Sequence, residues 1–324
     1  MRIIKYNEAI NEALSQLLEK DKDVFVIGQG VKSVWYAGGT CKDLIKKFGE
    51  ERVIDTPVSE NGITGAAVGA AISGMRPIVM HPRMDFALYA MDPIINEAAN
   101  WSYMTGEKEN CPIVFWLIIN RGGEQAAQHS QALQAIFAHI PGLKVVAPSN
   151  PKDAKGLLIS SVYDNNPVVY VDDRWLYNME SNVSEDFYKT EIGKAEIIKS
   201  GKDITIISYS YILNKCLEAA EDLKKEGIDA EVIDLKTIKP IDKETIFESV
   251  KKTGKVLIVD ASWKSFGVSA EISALISEQP IRLKSPIKRL CLPDSPAPAN
   301  SDLEKEYYIS KEDIIKNIKE LYGK

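Results

Sequence analysis

Cysteine and histidine are scarce in this 324-residue chain, and neither is grouped. Cys41, Cys111, Cys216 and Cys291 include no CxxC pair, so the spacing excludes a zinc ribbon and a disulfide framework and fits a reducing cytoplasm. No apolar stretch approaches the ~20 residues that a spanning helix needs. The longest, Cys111 to Ile119, reads as a buried strand, and no membrane contact is expected. The first twenty residues lack a basic region followed by an apolar core, which excludes a typical export signal, and read as an amphipathic helix. Basic residues are in deficit as well. A net charge of −6 provides no footprint for nucleic acid, whose phosphates demand clustered Lys and Arg. Low-complexity tracts and short-period repeats are absent too.

What is present is ordinary globular composition, 45% hydrophobic and 27% charged, on a chain long enough for two cores. Short apolar runs alternate with helix-length segments, the pattern of parallel sheets covered on both faces. Strands are expected at Val24–Gly28, Arg76–Met80, Ile113–Ile119, Leu143–Ala147 and Val168–Val171, with helices at Ser59–Ser73, Asp85–Thr105 and Pro151–Tyr163. The polar segment from Trp175 to about Thr190 reads as a linker crossing the surface. A second α/β unit follows, with strands at Ile204–Tyr209, Ala230–Asp234, Val256–Val259 and Ile287–Leu290. Its helices are expected near Tyr211–Glu226, Lys243–Thr253 and Val268–Ser277, and a Pro-rich stretch leads to a last helix at Lys311–Leu321.

Three segments carry candidate chemistry. In RVIDTPVSENGITGAAVGAAISG, a Pro turn and Ser59 precede a helix of small residues that invites close packing. On spacing alone the plain reading is the better one: Ser59 caps the helix, and Glu60 favours its positive dipole end. The glycine-bearing loop from Asn120 ends at His129 and Ser130, where a histidine beside a helix start can titrate near neutrality; an exposed loop histidine is an equal alternative. His81 directly follows a strand and is evenly balanced between packing and facing a cleft at the strands' carboxyl ends. His139, before a Pro-Gly turn, reads as a structural residue closing that turn.

Together, RVIDTPVSENGITGAAVGAA, MDPIINEAANWSYMTG, QHSQALQAIFAHIPGLKVVAPSNPKDAKGLL, DNNPVVY, EVIDLKTIKPID and SFGVSAEI resemble, over essentially the whole chain, the beta subunits of the thiamine diphosphate-dependent decarboxylating component of 2-oxo acid dehydrogenase complexes. The resemblance implies a doubly wound transketolase-like pyrimidine-binding domain over residues 1–175, a linker over 176–190 and a smaller α/β transketolase C-terminal-like domain over 191–324. It assigns Glu60 to the carboxyl that bonds the cofactor's aminopyrimidine nitrogen. A carboxyl in a desolvated cleft keeps its proton and can share it with the ring. It assigns Phe86 to the ring that stacks on the aminopyrimidine and His129 to the histidine that aids acyl transfer to a lipoyl group. It also places a structural K+ near Asp164 and Asn166, although Asp-Asn-Asn-Pro is equally a turn motif.

The Gly-Asp-Gly sequence with which thiamine enzymes hold Mg²⁺ and the diphosphate is missing. The resemblance therefore implies an alpha subunit supplying the metal, an α2β2 heterotetramer, and a lipoyl-bearing acyltransferase as a further partner. Where relatives carry a Phe-Ala-Asp-Phe-like stretch, this chain has His81, Pro82, Arg83, Met84 and Asp85, and the loop from Asn120 to His129 is shorter than usual. Arg83 and His81 are thus able to pair with an acidic or hydroxylated substrate, and plain pyruvate is not assumed. Two alternatives share the fold: the C-terminal half of a split transketolase, and a catalytically inactive scaffold. The missing motif predicts that the chain alone binds thiamine diphosphate with Mg²⁺ only weakly and turns over no 2-oxo acid, activity appearing on mixing with an alpha subunit. Calorimetry on the lone chain checks this, and micromolar binding there would contradict it.

Overall fold

The computed structural model describes residues 2–323 and clusters into two compact units. One holds the chain up to Arg121 together with Gln128–Ile192; the other holds Gly122–Ala127 and the chain from Gly193 onward.

In the first unit the strands are β1 (Arg2–Lys5), β2 (Val24–Gln29), β3 (Val53–Thr56), β4 (Arg76–His81), β5 (Val114–Ile119), β6 (Lys144–Val146), β7 (Val168–Asp173) and β8 (Glu180–Val183). Their main sheet runs β6-β7-β5-β4-β2-β3 with every pair parallel. β5 and β7 are buried at every residue, which explains why they read as unbroken apolar runs with no alternation. The chain places β3 on one side of β2 and then returns to the other side for β4, so helices cover both faces and the fold is the expected doubly wound α/β type. On one face the Tyr6–Lys20 and Pro151–Val162 helices pack together, and the Lys155 ammonium, fully buried, donates to Glu12 Oε1 at 2.6 Å and the Ser184 carbonyl at 2.8 Å.

Two expected elements differ. The N-terminal helix begins at Tyr6, because the preceding residues form β1, antiparallel to β8 with Arg2 opposite Val183. The polar stretch read as a linker thus carries β8, and each strand supplies the edge the other needs. The helix expected over Asp85–Thr105 is instead a 3₁₀ turn at Met84–Ala90, a π-helix at Asp92–Ala99 and an α-helical turn at Asn100–Met104. Pro93 has no N–H to give, so the regular ladder is interrupted where it enters.

The second unit has the sheet order Lys288–Leu292, Val256–Trp263, Ile204–Ser208, Ala230–Asp234, Glu196–Lys199. The first four are mutually parallel and the last is an antiparallel edge. Glu196–Lys199 and the short Thr237–Lys239 strand were not expected, nor was the Ser301–Tyr307 helix, capped by Asn300, within the Pro-rich tail. Among the described residues no helix is long and apolar enough to cross a membrane, and all four cysteines are free.

At the ends of β5 and β7, the Arg121 Nε donates to Asp173 Oδ2 at 2.7 Å, with both side chains all but inaccessible. Burial still holds the Asp173 carboxyl above its ordinary range against the pull of Arg121. Removing one partner strands the other charge, so Arg121→Leu is expected to cost about 3–5 kcal/mol of unfolding free energy. The double substitution Arg121→Leu with Asp173→Leu should cost less than the single one, as read by urea denaturation.

Candidate active site

Glu60 opens the Glu60–Ile72 helix directly after β3 and the Pro57 turn. Ser59 occupies the cap position, but its side chain makes no capping bond, so that part of the plain reading fails. Glu60 has neither a hydrogen bond nor an ion pair among the described residues. Its helix buries Ile63, Thr64, Ala67, Val68 and Ala71 and turns its glycines outward. The close packing that the small residues invite is not found within the chain, since a Cβ at Gly65 or Gly69 would meet nothing within 4 Å.

The buried face of this helix packs on the Met84–Ala90 turn and on β4. Phe86, in that turn, meets His129 edge-on with ring centroids 5.3 Å apart. Two bonds fasten the His129 loop there: Gln131 N–H donates to Asp85 Oδ1 at 3.1 Å, and Leu133 N–H to Met84 Sδ at 3.1 Å. Burial raises the Asp85 carboxyl above its ordinary value, and Asp85 Oδ2 is buried without a partner. The structure therefore gathers Phe86, His129 and Asp85 in one place and sets Glu60 at the start of the helix that packs against them. An unengaged carboxyl group, an aromatic ring and an imidazole suit a flat, basic heteroaromatic group such as an aminopyrimidine.

Other expected residues behave differently. His81 is the last residue of β4 and fully buried, with Nε2 3.2 Å from Thr64 Oγ1. Burial pushes it down to about 4, which favours the packing reading of the two that the sequence left balanced. His139 ends the Gln134–His139 helix and is exposed; the Pro-Gly turn is closed by the backbone, Leu143 N–H donating to the Ile140 carbonyl at 3.5 Å. Arg83 is half-buried and bonds its neighbour, the Pro82 carbonyl, at 2.7 Å. Asp164 Oδ2 accepts from Lys144 at 2.5 Å and Oδ1 from the Asn166 amide at 2.9 Å, while Arg76 donates to the Val162 and Asp164 carbonyls. A cation there would have to draw on backbone oxygens.

Sequence reasoning missed Asp172, which accepts from Trp116 Nε1 and Tyr177 OH, each at 2.8 Å, and is pushed up to about 7 by burial. Paired acids closing an apolar strand, VDDRW, were the available signal.

The family description "Transketolase, pyrimidine binding domain" matches residues 3–179, and "Transketolase, C-terminal domain" matches residues 193–314. The chain belongs to the transketolase-like family that includes the beta subunits of 2-oxo acid dehydrogenases. Over 317 residues it is 44% identical to the mitochondrial pyruvate dehydrogenase E1 component subunit beta of Dictyostelium discoideum, covering 96% of this chain and 89% of that one. The 2-oxoisovalerate dehydrogenase subunit beta of Bacillus subtilis is 42% identical, covering 99% of each. The acetoin:2,6-dichlorophenolindophenol oxidoreductase subunit beta of Cupriavidus necator is 41% identical, covering 94% of each. Among solved structures, a split gene transketolase described as an inactive beta4 tetramer superposes with a TM-score of 0.81 at 23% identity, over 98% of each chain, and shares the fold.

The His81 environment generates a pH prediction. A folded-state value below the unfolded 6.5 means that the unfolded chain takes up the proton more readily. The contribution is complete above about pH 6.5 and lost as pH falls from there toward 4. It amounts to about 3 kcal/mol. His81→Gln should flatten the acid limb of the unfolding midpoint between those pH values, and an unchanged limb would contradict the assignment.

Proposed function

We propose that this chain is the beta subunit of a two-chain, thiamine diphosphate-dependent 2-oxo acid dehydrogenase, active only with an alpha subunit. The observation that carries the reading is the unengaged Glu60 carboxylate opening the helix that packs on the Phe86 turn, in a chain whose residues 3–179 match the pyrimidine-binding domain. When bound, thiamine diphosphate supplies a nucleophilic carbon and takes up the electron pair released with carbon dioxide. The chain's own residues do the rest. Glu60 holds a proton at the aminopyrimidine nitrogen, and Phe86 gives its face to the ring. His129, held by its edge-on contact with Phe86, manages protons after decarboxylation, during acyl transfer to a lipoyl group carried by an acyltransferase.

The alpha subunit supplies the Mg²⁺ and diphosphate ligands that this sequence lacks. The outward glycine face of the Glu60 helix, with open space at Gly65 and Gly69, supports an assembly in which another backbone approaches closely, and an α2β2 heterotetramer provides that approach with two equivalent sites. A structural K+ would take the carbonyls of the Asp164 turn and has no catalytic part. The free cysteines, three of them buried, suit a reducing cytoplasm. A hydroxyketone is the second substrate reading, because the acetoin oxidoreductase beta subunit is nearly as similar as the dehydrogenase subunits.

Glu60→Gln is expected to lower decarboxylation by several powers of ten while the α2β2 assembly survives, because the amide fills the same space and cannot share a carboxyl proton. The test is carbon dioxide release from pyruvate, branched 2-oxo acids and 2-oxoglutarate, with acetoin cleavage assayed alongside. Near-normal turnover in the variant would remove Glu60 from the mechanism.

A further inference from the structure

Two guanidinium groups stand at the carboxyl ends of β4 and β7 without a carboxylate. Arg83 lies two residues beyond β4, and Arg174 directly follows β7. Both strands pair with β5, so the two arginines emerge on either side of the strand that ends at Ile119. Arg83 Nη1 donates to the Pro82 carbonyl at 2.7 Å; Arg174 Nη2 donates to the Trp35 carbonyl at 2.6 Å and also to that of Tyr36. The Nε of each is buried and has no hydrogen-bond partner, and neither side chain has an acidic oxygen within 4.0 Å.

The two groups share surroundings. The Arg174 guanidinium carbon lies 5.8 Å from the centre of the Tyr177 ring. Burial first, and then the charge of Arg174, hold Arg83 below its ordinary value, against a weaker opposite pull from Asp85, Tyr36 and Tyr177. Of the nearby acids, Asp173 is taken by Arg121, Asp172 accepts from Trp116 and Tyr177, and Asp85 gives one oxygen to the Gln131 amide; none of them lies within 4.0 Å of either guanidinium. Two like charges partly withdrawn from water, each with an unsatisfied donor, are costly unless an anion joins them.

We propose that Arg83 and Arg174 together form a binding site for the carboxylate or phosphate of a small organic acid, and that the substrate carries such a group in addition to the carboxylate it loses. Planar guanidinium forks recognise both oxyanions. Arg83 belongs to the turn that carries Phe86, three residues before it, and the carboxyl ends of parallel strands are where such sheets receive small ligands. The statement about the substrate rests on the 2-oxo acid reading, whereas the anion site stands independently of it.

The test uses the chain assembled with its alpha subunit. Succinate and inorganic phosphate are titrated calorimetrically at constant ionic strength, with chloride as the control, into the wild type and the variants Arg83→Gln, Arg174→Gln and Arg83→Lys. Succinate binding identifies a carboxylate and phosphate binding a phosphorylated ligand. Either glutamine variant should weaken that binding about ten- to a hundredfold. The lysine variant should recover part of it, and the unliganded unfolding midpoints should show that all variants are folded. In turnover, the ratio of kcat/KM for 2-oxoglutarate or a phosphorylated 2-oxo acid to that for pyruvate should fall about tenfold in Arg83→Gln. Binding no tighter than chloride, or binding that survives both glutamine substitutions, overturns the proposal. So does binding by the lone chain that vanishes in the assembly, since an acidic residue of the alpha subunit then takes the pair. Arginine-dependent binding without turnover of any 2-oxo acid would support the anion site and sink the dehydrogenase reading. Turnover of 2-oxo acids without that binding would do the reverse.

Discussion

Consecutive buried acids, Asp172 and Asp173, end β7, which is buried at every residue, and neither side chain reaches water. Each must be answered from inside the protein. Asp173 is met by Arg121 at the end of β5; Asp172 is met by Trp116 within β5 and by Tyr177 just beyond β7. Tyr177 in turn stacks on Tyr6 at the start of the first helix, with centroids 6.2 Å apart. One electrostatic requirement thus ties together the carboxyl ends of two central strands and the N-terminal helix. The loops that leave those ends inherit fixed starting points, and from one of them hangs the loop that delivers His129.

The same end of the sheet shows how burial sorts similar residues into different work. His81 and His129 are both imidazoles near the carboxyl ends of strands, yet His81 is sealed beneath the Glu60 helix and held neutral, whereas His129 is only half-buried against the Phe86 edge. Arg121 and Arg83 likewise differ in partner. Arg121 has a carboxylate and belongs to the framework, whereas Arg83 has only a neighbouring carbonyl and keeps binding capacity in reserve. In a low-dielectric setting an answered charge is structural, and an unanswered one points toward a ligand.

Much of this was legible in the amino-acid order. The buried parallel strands appear as apolar runs because neither face of them meets water. The major helices of both units appear through their period, and most of their ends through Pro, Gly and Asp. The family, and with it Glu60, Phe86 and His129 as candidates, came from ordered motifs rather than from spacing, which by itself favoured a capped helix at Glu60.

Tertiary structure decided what local pattern cannot express. Whether Arg2–Lys5 continues a helix or becomes a strand depends on a partner edge nearly 180 residues away in sequence, which no window around it contains. Ser59 looks like a helix cap by type but makes no capping bond in its actual geometry. His81 was evenly balanced between cleft and core until the Glu60 helix was laid over it. The pairing of Arg83 with Arg174 joins residues 91 positions apart through the strand order β7-β5-β4. The sequence by itself determined the type of most elements, the fold class and the family, because these follow from periodicity and motif. Only the folded sheet decided which polar groups are answered and which are left open, because that depends on strand order and depth.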